Sequence, residues 1–230
     1  MITLFIISCF LLHYRNRRRR DEANMAFYLL SGLIVISSIY ALYTRQLFSF
    51  IIGISTFTLS QIFFRLPIII WLESTADYQL WATQHIILSL FFLAASAGIV
   101  EEIARWFALY TFRNMRACRQ IVAFGLGHGS MEIFFFIWFT TSMAVSYWGV
   151  FERFCAIIIH ICLSFFILKS VTNKQQRYFY YAIAIHTFVN LLSVLFLIYH
   201  SIFLAEGFVF FITILLFIWT IRSQRRRKLN

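Results

Sequence analysis

Six ionisable side chains lie inside stretches that otherwise read as membrane-spanning helix. They are Glu101, Glu102, His128, Glu132, His160 and His186, with Asn190 one helical turn after the last. These are the groups that hydrolytic chemistry uses. A carboxylate takes a proton from water, an imidazole shares that proton or holds a metal, and a carboxamide donates to a developing oxyanion. A central charge in a bilayer helix costs roughly 2.5–3.5 kcal/mol on insertion scales, so such residues default to a functional-site reading.

The elements that must position them follow from composition. The chain has 230 residues, is 61% hydrophobic and 13% charged, and has a mean hydropathy of +0.80. Repeated apolar runs of membrane-spanning length predict an all-α, polytopic transmembrane helix bundle. Seven spans are expected, at about 25–44, 47–72, 80–112, 118–145, 151–169, 178–199 and 203–221, and eight if the apolar stretch 2–14 inserts. One proline and eight glycines leave little room for long loops. Residues 25–221 are therefore expected to form one bundle and 222–230 a basic tail. Residues 1–24 are expected to be a non-spanning extension, or to precede a start at Met25. The net charge of +11 is no argument for nucleic acid, because the basic residues fall between the spans, where cytoplasmic lysines and arginines belong. Cys9, Cys118, Cys155 and Cys162 show neither a CxxC pair nor a Cys/His zinc spacing.

Loop charge predicts an orientation. With seven alternating spans, Arg45, then Arg113, Arg116 and Arg119, then Lys169, Lys174 and Arg177, then the C-terminal basic cluster share one side. Glu73, Asp77, Glu152 and Glu206 fall on the other. The basic side and the C-terminus are thus expected in the cytoplasm, with the protein integral to the plasma (inner) membrane. Counting inward from those basic residues gives a depth. Glu101 lies 12 residues before Arg113, His128 nine after Arg119, His160 nine before Lys169 and His186 nine after Arg177. At about 1.5 Å per residue these groups share a level near the middle of a hydrocarbon core about 30 Å thick. Either hydrogen bonding between helices or a polar cavity would explain a shared depth.

Spacing sorts the groups into constellations. In Glu101-Glu102-Ile-Ala-Arg105, both carboxylates are within helical reach of the guanidinium, but they point about 100° apart, so one stays available as a base. In the stretch Phe124–Glu132, His128 and Glu132 share a face, and Gly125 and Gly129 form a small-xxx-small pair for close helix approach. His186 and Asn190 share a face and suit an oxyanion site. His160 with Ser164 is as well explained by interhelical hydrogen bonding. Arg65, Glu152 and Arg153 read as snorkelling or outer-side ion pairs, and Trp71, Trp81 and Trp148 as interface anchors.

Taken in order, EExxR at Glu101, FxxGHGxxE at Phe124, ER-x6-HxxxS at Glu152 and HxxxN at His186 resemble the YhfC family of intramembrane proteases. That family belongs with the type II CAAX prenyl proteases and the bacterial CPBP (Abi) proteins. The resemblance runs from about Gly53 to Leu191. It implies that Glu101 activates water, that His128 shares that water, and that His186 and Asn190 stabilise the oxyanion. Glu102 and Arg105 would support the first glutamate, although the prenyl protease pattern has one more residue before its arginine. Glu132 and His160 belong to the YhfC-like pattern without a transferred role. The resemblance leaves the chemistry open between a glutamic and a metal mechanism. With no HExxH or similar signature, no cofactor is favoured. Zinc remains compatible, with Glu101, His128 and His186 (or His160) as a two-histidine, one-carboxylate set.

The expected function is an intramembrane endopeptidase opening towards the cytoplasm and acting on a membrane-associated peptide or protein within the lipid bilayer. The competing expectation is a non-catalytic scaffold or immunity-type protein that binds a partner in the same cavity. A proton carrier is a third, and would call for inverted repeats or broken helices.

Overall fold

The computed structural model describes residues 17–139, 146–198 and 201–229, with side chains from residue 22 to residue 225 within those limits. Residues 1–16, on which the reading of 2–14 depends, lie outside the described residues, as do 140–145. Among the described residues all regular structure is helical. In chain order the elements are α1 (Arg17–Tyr43), α2 (Leu47–Phe57), a π-helical stretch (Thr58–Arg65), α3 (Leu66–Glu73), α4 (Ala76–Gln84), α5 (Ile86–Thr111), α6 (Cys118–Phe139), α7 (Tyr147–Asn173), α8 (Arg177–Ile198) and α9 (Ile202–Leu229).

Seven of these helical rods are long and apolar enough to cross a bilayer: Glu22–Tyr43, Leu47–Glu73, Ile86–Thr111, Cys118–Phe139, Tyr147–Asn173, Arg177–Ile198 and Ile202–Arg225. The seven expected spans are all present, with shifted ends. The span expected to begin at 80 begins at Ile86, because α4 stops at His85, whose backbone (φ −125°, ψ 56°) leaves the helical region. The last helix runs on to Leu229, through most of the stretch read as a tail. The second span is continuous but changes its winding. The N–H of Leu66 reaches the carbonyl of Gln61, five residues back. Pro67 follows immediately; it has no N–H to offer the preceding turn, and its ring crowds that turn, so a wider turn relieves both problems.

Helices α6 and α7 form the centre. In each, 67% of the most apolar stretch is buried, against 22% in α1 and 28% in α9. The rim helices present Ile36, Phe63, Phe107, Tyr180 and Phe203 outward, as suits contact with lipid. Glycines set how closely the central helices meet. A Cβ on Gly53 of α2 would overlap the carbonyl oxygen of Phe124, and one on Gly127 of α6 would overlap that of Phe50. The pair Gly125 and Gly129 faces α7 instead: a Cβ at Gly125 would lie 2.6 Å from Ile161 Cα, and one at Gly129 3.0 Å from Ile157 Cγ1. The sequence reading of Gly125 and Gly129 as a close-approach pair holds, and Gly127 adds a second such contact on the opposite face of α6.

Replacing Gly127 or Gly53 by alanine should therefore destabilise the bundle by at least roughly 1–3 kcal/mol through backbone overlap. Gly32→Ala and Gly207→Ala, where a Cβ meets nothing within 4 Å, should be neutral or slightly stabilising. Melting temperatures of the four purified variants in detergent check this.

Candidate active site

The polar residues read from sequence come together in one buried cluster fed by α5, α6, α7 and α8. Glu101 and Glu102 leave α5 in different directions, and the structure settles which of them Arg105 holds. Arg105 Nη1 donates to Glu102 Oε1 at 2.6 Å, and both side chains are fully buried. His186 Nδ1 donates to the same oxygen at 2.8 Å. Glu101 is left to other partners. Its Oε1 accepts from Gln61 Nε2 at 2.7 Å, its Oε2 lies 2.9 Å from His128 Nε2, and His186 Nε2 stands 3.7 Å from that same oxygen.

Proton bookkeeping fixes the three imidazoles. The Thr56 hydroxyl lies 2.7 Å from the carbonyl of Gly53, which only accepts, so its one proton goes there. The 3.0 Å contact between Thr56 Oγ1 and His128 Nδ1 then calls for a proton on Nδ1, and Nε2 shares a second proton with Glu101 Oε2 at 2.9 Å, so an Nε2 lone pair is free only where a metal ion takes the place of that proton. Glu102, held by Arg105, accepts a hydrogen bond from His186 Nδ1 and likewise directs Nε2 at Glu101. His160 is different. Its Nδ1 faces Arg105 Nη2 at 3.1 Å, and a guanidinium has no acceptor, so Nδ1 must accept. Its Nε2 therefore donates to Glu132 Oε2 at 2.5 Å. Both nitrogens of His160 are thus committed, whereas His128 and His186 each aim one nitrogen at the same carboxylate oxygen.

Two metal sets need comparison. Ligand atoms of Glu101, His128 and His160 lie within 4.8 Å of one another. Among the described residues this is the one trio of such ligand atoms within that distance. The hydrogen bonds favour Glu101, His128 and His186, since binding would replace only the contacts these ligand atoms make with one another, whereas His160 would have to give up Arg105 or Glu132. Thr56 and Glu102 supply the outer hydrogen bonds that fix ligating imidazoles in metal sites.

Glu132 extends the network. Its Oε1 accepts from Arg153 Nη1 at 2.7 Å, and Arg153 Nη2 reaches Glu152 Oε1 at 2.7 Å. Arg153 and Glu152 do form the ion pair expected at the end of the span, but both are buried and the pair is tied to Glu132. Arg65 corrects its reading more sharply. It does not snorkel: it is 3% exposed, with Nε on Ser96 Oγ, Nη2 on the carbonyl of Leu93 and Nη1 on Gln61 Oε1. The π-helical turn brings Gln61 and Arg65 inward together. Gln61, Arg65 and Thr56 were missed as site residues. The usable signal was the same one that found the glutamates, namely polar side chains within an apolar span.

A cavity of about 30 Å³, enough for a water molecule, adjoins the cluster. Glu101, Glu132, His160, His186 and Asn190 line it, together with Gln61 and Arg65. Asn190 is 4% exposed and its carboxamide makes no hydrogen bond among the described residues, so it faces the cavity with its donors free. The cavity lies on the far side of the imidazole layer from the basic loops.

The profile of a family described as YhfC intramembrane metalloprotease matches residues 27–140 and 137–209. No curated protein and no solved structure gives a significant match. The two matched segments take in six of the seven apolar rods whole or nearly whole, and every residue of the cluster above. This chain is an integral membrane protein that belongs to the YhfC intramembrane metalloprotease family.

Proposed function

We propose that this protein is an intramembrane endopeptidase in which Glu101 activates water for attack on a peptide carbonyl. The observation that carries the reading is a cavity lined by the Glu101 carboxylate, the His186 imidazole and the unpartnered carboxamide of Asn190, with His128 Nε2 bonded to Glu101 from behind it. Gln61, gripped by Arg65, holds one oxygen of Glu101 and leaves the other turned towards the two imidazoles. That oxygen orients the water and takes its proton. Asn190 then donates to the oxyanion that forms on the carbonyl; a single good donor of this kind typically contributes about 2.7–4 kcal/mol. Glu132 and His160 are kept from the water by their own bonds, and act by holding Arg105 and, through it, Glu102 and His186.

The donor set Glu101 Oε2, His128 Nε2 and His186 Nε2 fits a zinc-type ion: one carboxylate and two imidazoles, each imidazole fixed at its far nitrogen. When bound, such an ion supplies Lewis-acid polarisation and brings the pKa of a ligated water to about 7. The glutamic and metal readings part at His186 Nε2, which offers a lone pair as a ligand and needs a second proton as an oxyanion donor. The family description and the directed imidazole nitrogens support the metal reading.

Glu101→Gln and His128→Ala should abolish cleavage while leaving the bundle folded, as followed by accumulation of uncleaved membrane proteins in quantitative proteomics of the variant strains. Full cleavage by both variants would sink the protease reading, and intact biological activity in Glu101→Gln would favour the scaffold. Elemental analysis of purified protein should find about one zinc-type ion per chain in the wild type, consistent with a single three-ligand site. The ion should be lost in His128→Ala and His186→Ala. In His160→Gln it should be retained with affinity weakened by roughly 10–100-fold, as for an outer-layer change. Loss in His160→Ala with retention in His186→Ala would reassign the third ligand.

A further inference from the structure

Both halves of the bundle contain packed apolar core, Ile133, Phe136 and Ile157 on one side of the imidazole layer among them, but the cavity extends to one side only. Towards the basic loops the interior is packed apolar core. Leu109, Met115, Ile121, Phe124, Leu163 and Ile167 belong to one cluster, and none is more than 1% exposed. Arg105 and His128 themselves are fully buried.

Away from the basic loops the same helices line the cavity. Along each of them the lining residues step in that direction. Ala97 is one turn further from Arg113 than Glu101, and Glu132 is one turn further from Arg119 than His128. Ala156 is one turn further from Lys169 than His160, and Asn190 one turn further from Arg177 than His186. Gln61 and Arg65 likewise lie towards the Glu73 end of their span. Four antiparallel helices and the π-helical stretch agree on one direction.

The packing of α5 against α8 points the same way. Level with the site they touch closely, since a Cβ on Gly98 would lie 2.7 Å from Thr187 Oγ1. Further out on the cavity side they part around an apolar groove of about 510 Å³, lined by Ile87, Leu88 and Leu90 of α5 and by Leu195 and Ile198 of α8. These two helices also carry Glu101, His186 and Asn190.

The geometry points to a catalytic centre that is entered from the membrane face opposite the basic loops. Substrates are then membrane-protein segments whose scissile bonds lie in that half of the bilayer. By the bias of lysine and arginine towards cytoplasmic loops, this is the extracytoplasmic half. The inference deepens the protease reading and rests on it for the word substrate, but the entry face itself is testable without cleavage.

The test is side-specific cysteine modification in the full chain, with its four cysteines replaced by alanine. Single cysteines are placed at Ala156 and at Ala97, and a membrane-impermeant thiol reagent is applied to right-side-out and to inside-out vesicles. Asn114→Cys reports the basic-loop side and Asp77→Cys the opposite side. Ala156→Cys should be modified only in the preparation that modifies Asp77→Cys, and Ala97→Cys should repeat the pattern should the first variant fold poorly. Modification alongside Asn114→Cys, or from neither side in a folded variant, would overturn the proposal. Labelling as expected together with full cleavage by both Glu101→Gln and His128→Ala would instead leave the entry face standing and remove the proteolytic role.

Discussion

The arrangement depends on the burial of Arg105. A guanidinium fully removed from water on α5 must be compensated, because an unpaired charge in a low-dielectric interior costs several kcal/mol. Glu102 meets it from the preceding turn and His160 Nδ1 meets it from α7. Each of those partners is then committed elsewhere. Glu102 accepts a hydrogen bond from His186 Nδ1, and His160 Nε2 donates one to Glu132. One charge thereby fixes the ring orientation of two histidines and anchors α5, α7 and, through His186, α8. Glu101 stands outside this arrangement, and so remains available for chemistry.

Much of the site was legible before any coordinates. The depth count placed Glu101, His128, His160 and His186 at one level, and they meet there, because helices of similar length joined by short loops keep residues in step with their loop charges. The expectation that one of two adjacent glutamates would be free of Arg105 also held. Which one it was depended on the rotation of α5 about its axis, and spacing alone does not give that. Arg65 misled because its distance from the span end suited snorkelling; its burial arises from the π-helical turn, and an eight-residue change of winding leaves no periodicity to read. The side to which the cavity extends was not legible, because a layer of polar groups has no face until the packing above and below it is known.

Membership of the YhfC family and the local hydrogen bonds bear on the chemistry from separate directions. The family description names a metal. The proton positions show how this chain would present ligands to one, with Thr56 and Glu102 each holding the far nitrogen of an imidazole. Neither residue type is unusual in a helix. Their meaning comes from what they force on the ring beside them. Thr56 is informative in particular, because its single proton is already claimed by the carbonyl of Gly53.

The alternation of glycines around His128 also bears on motion. Gly127 presses one face of α6 against α2, while Gly125 and Gly129 press the other against α7. A helix clamped backbone-to-backbone on two sides has no room to roll or slide, since a rotation of even one residue would drive a side chain into a carbonyl or a Cα. The less buried rods α1 and α9 carry no such clamp, since a Cβ on Gly32 or Gly207 meets nothing within 4 Å. The molecule combines a closely packed spine that indexes its histidine with a less buried shell around it.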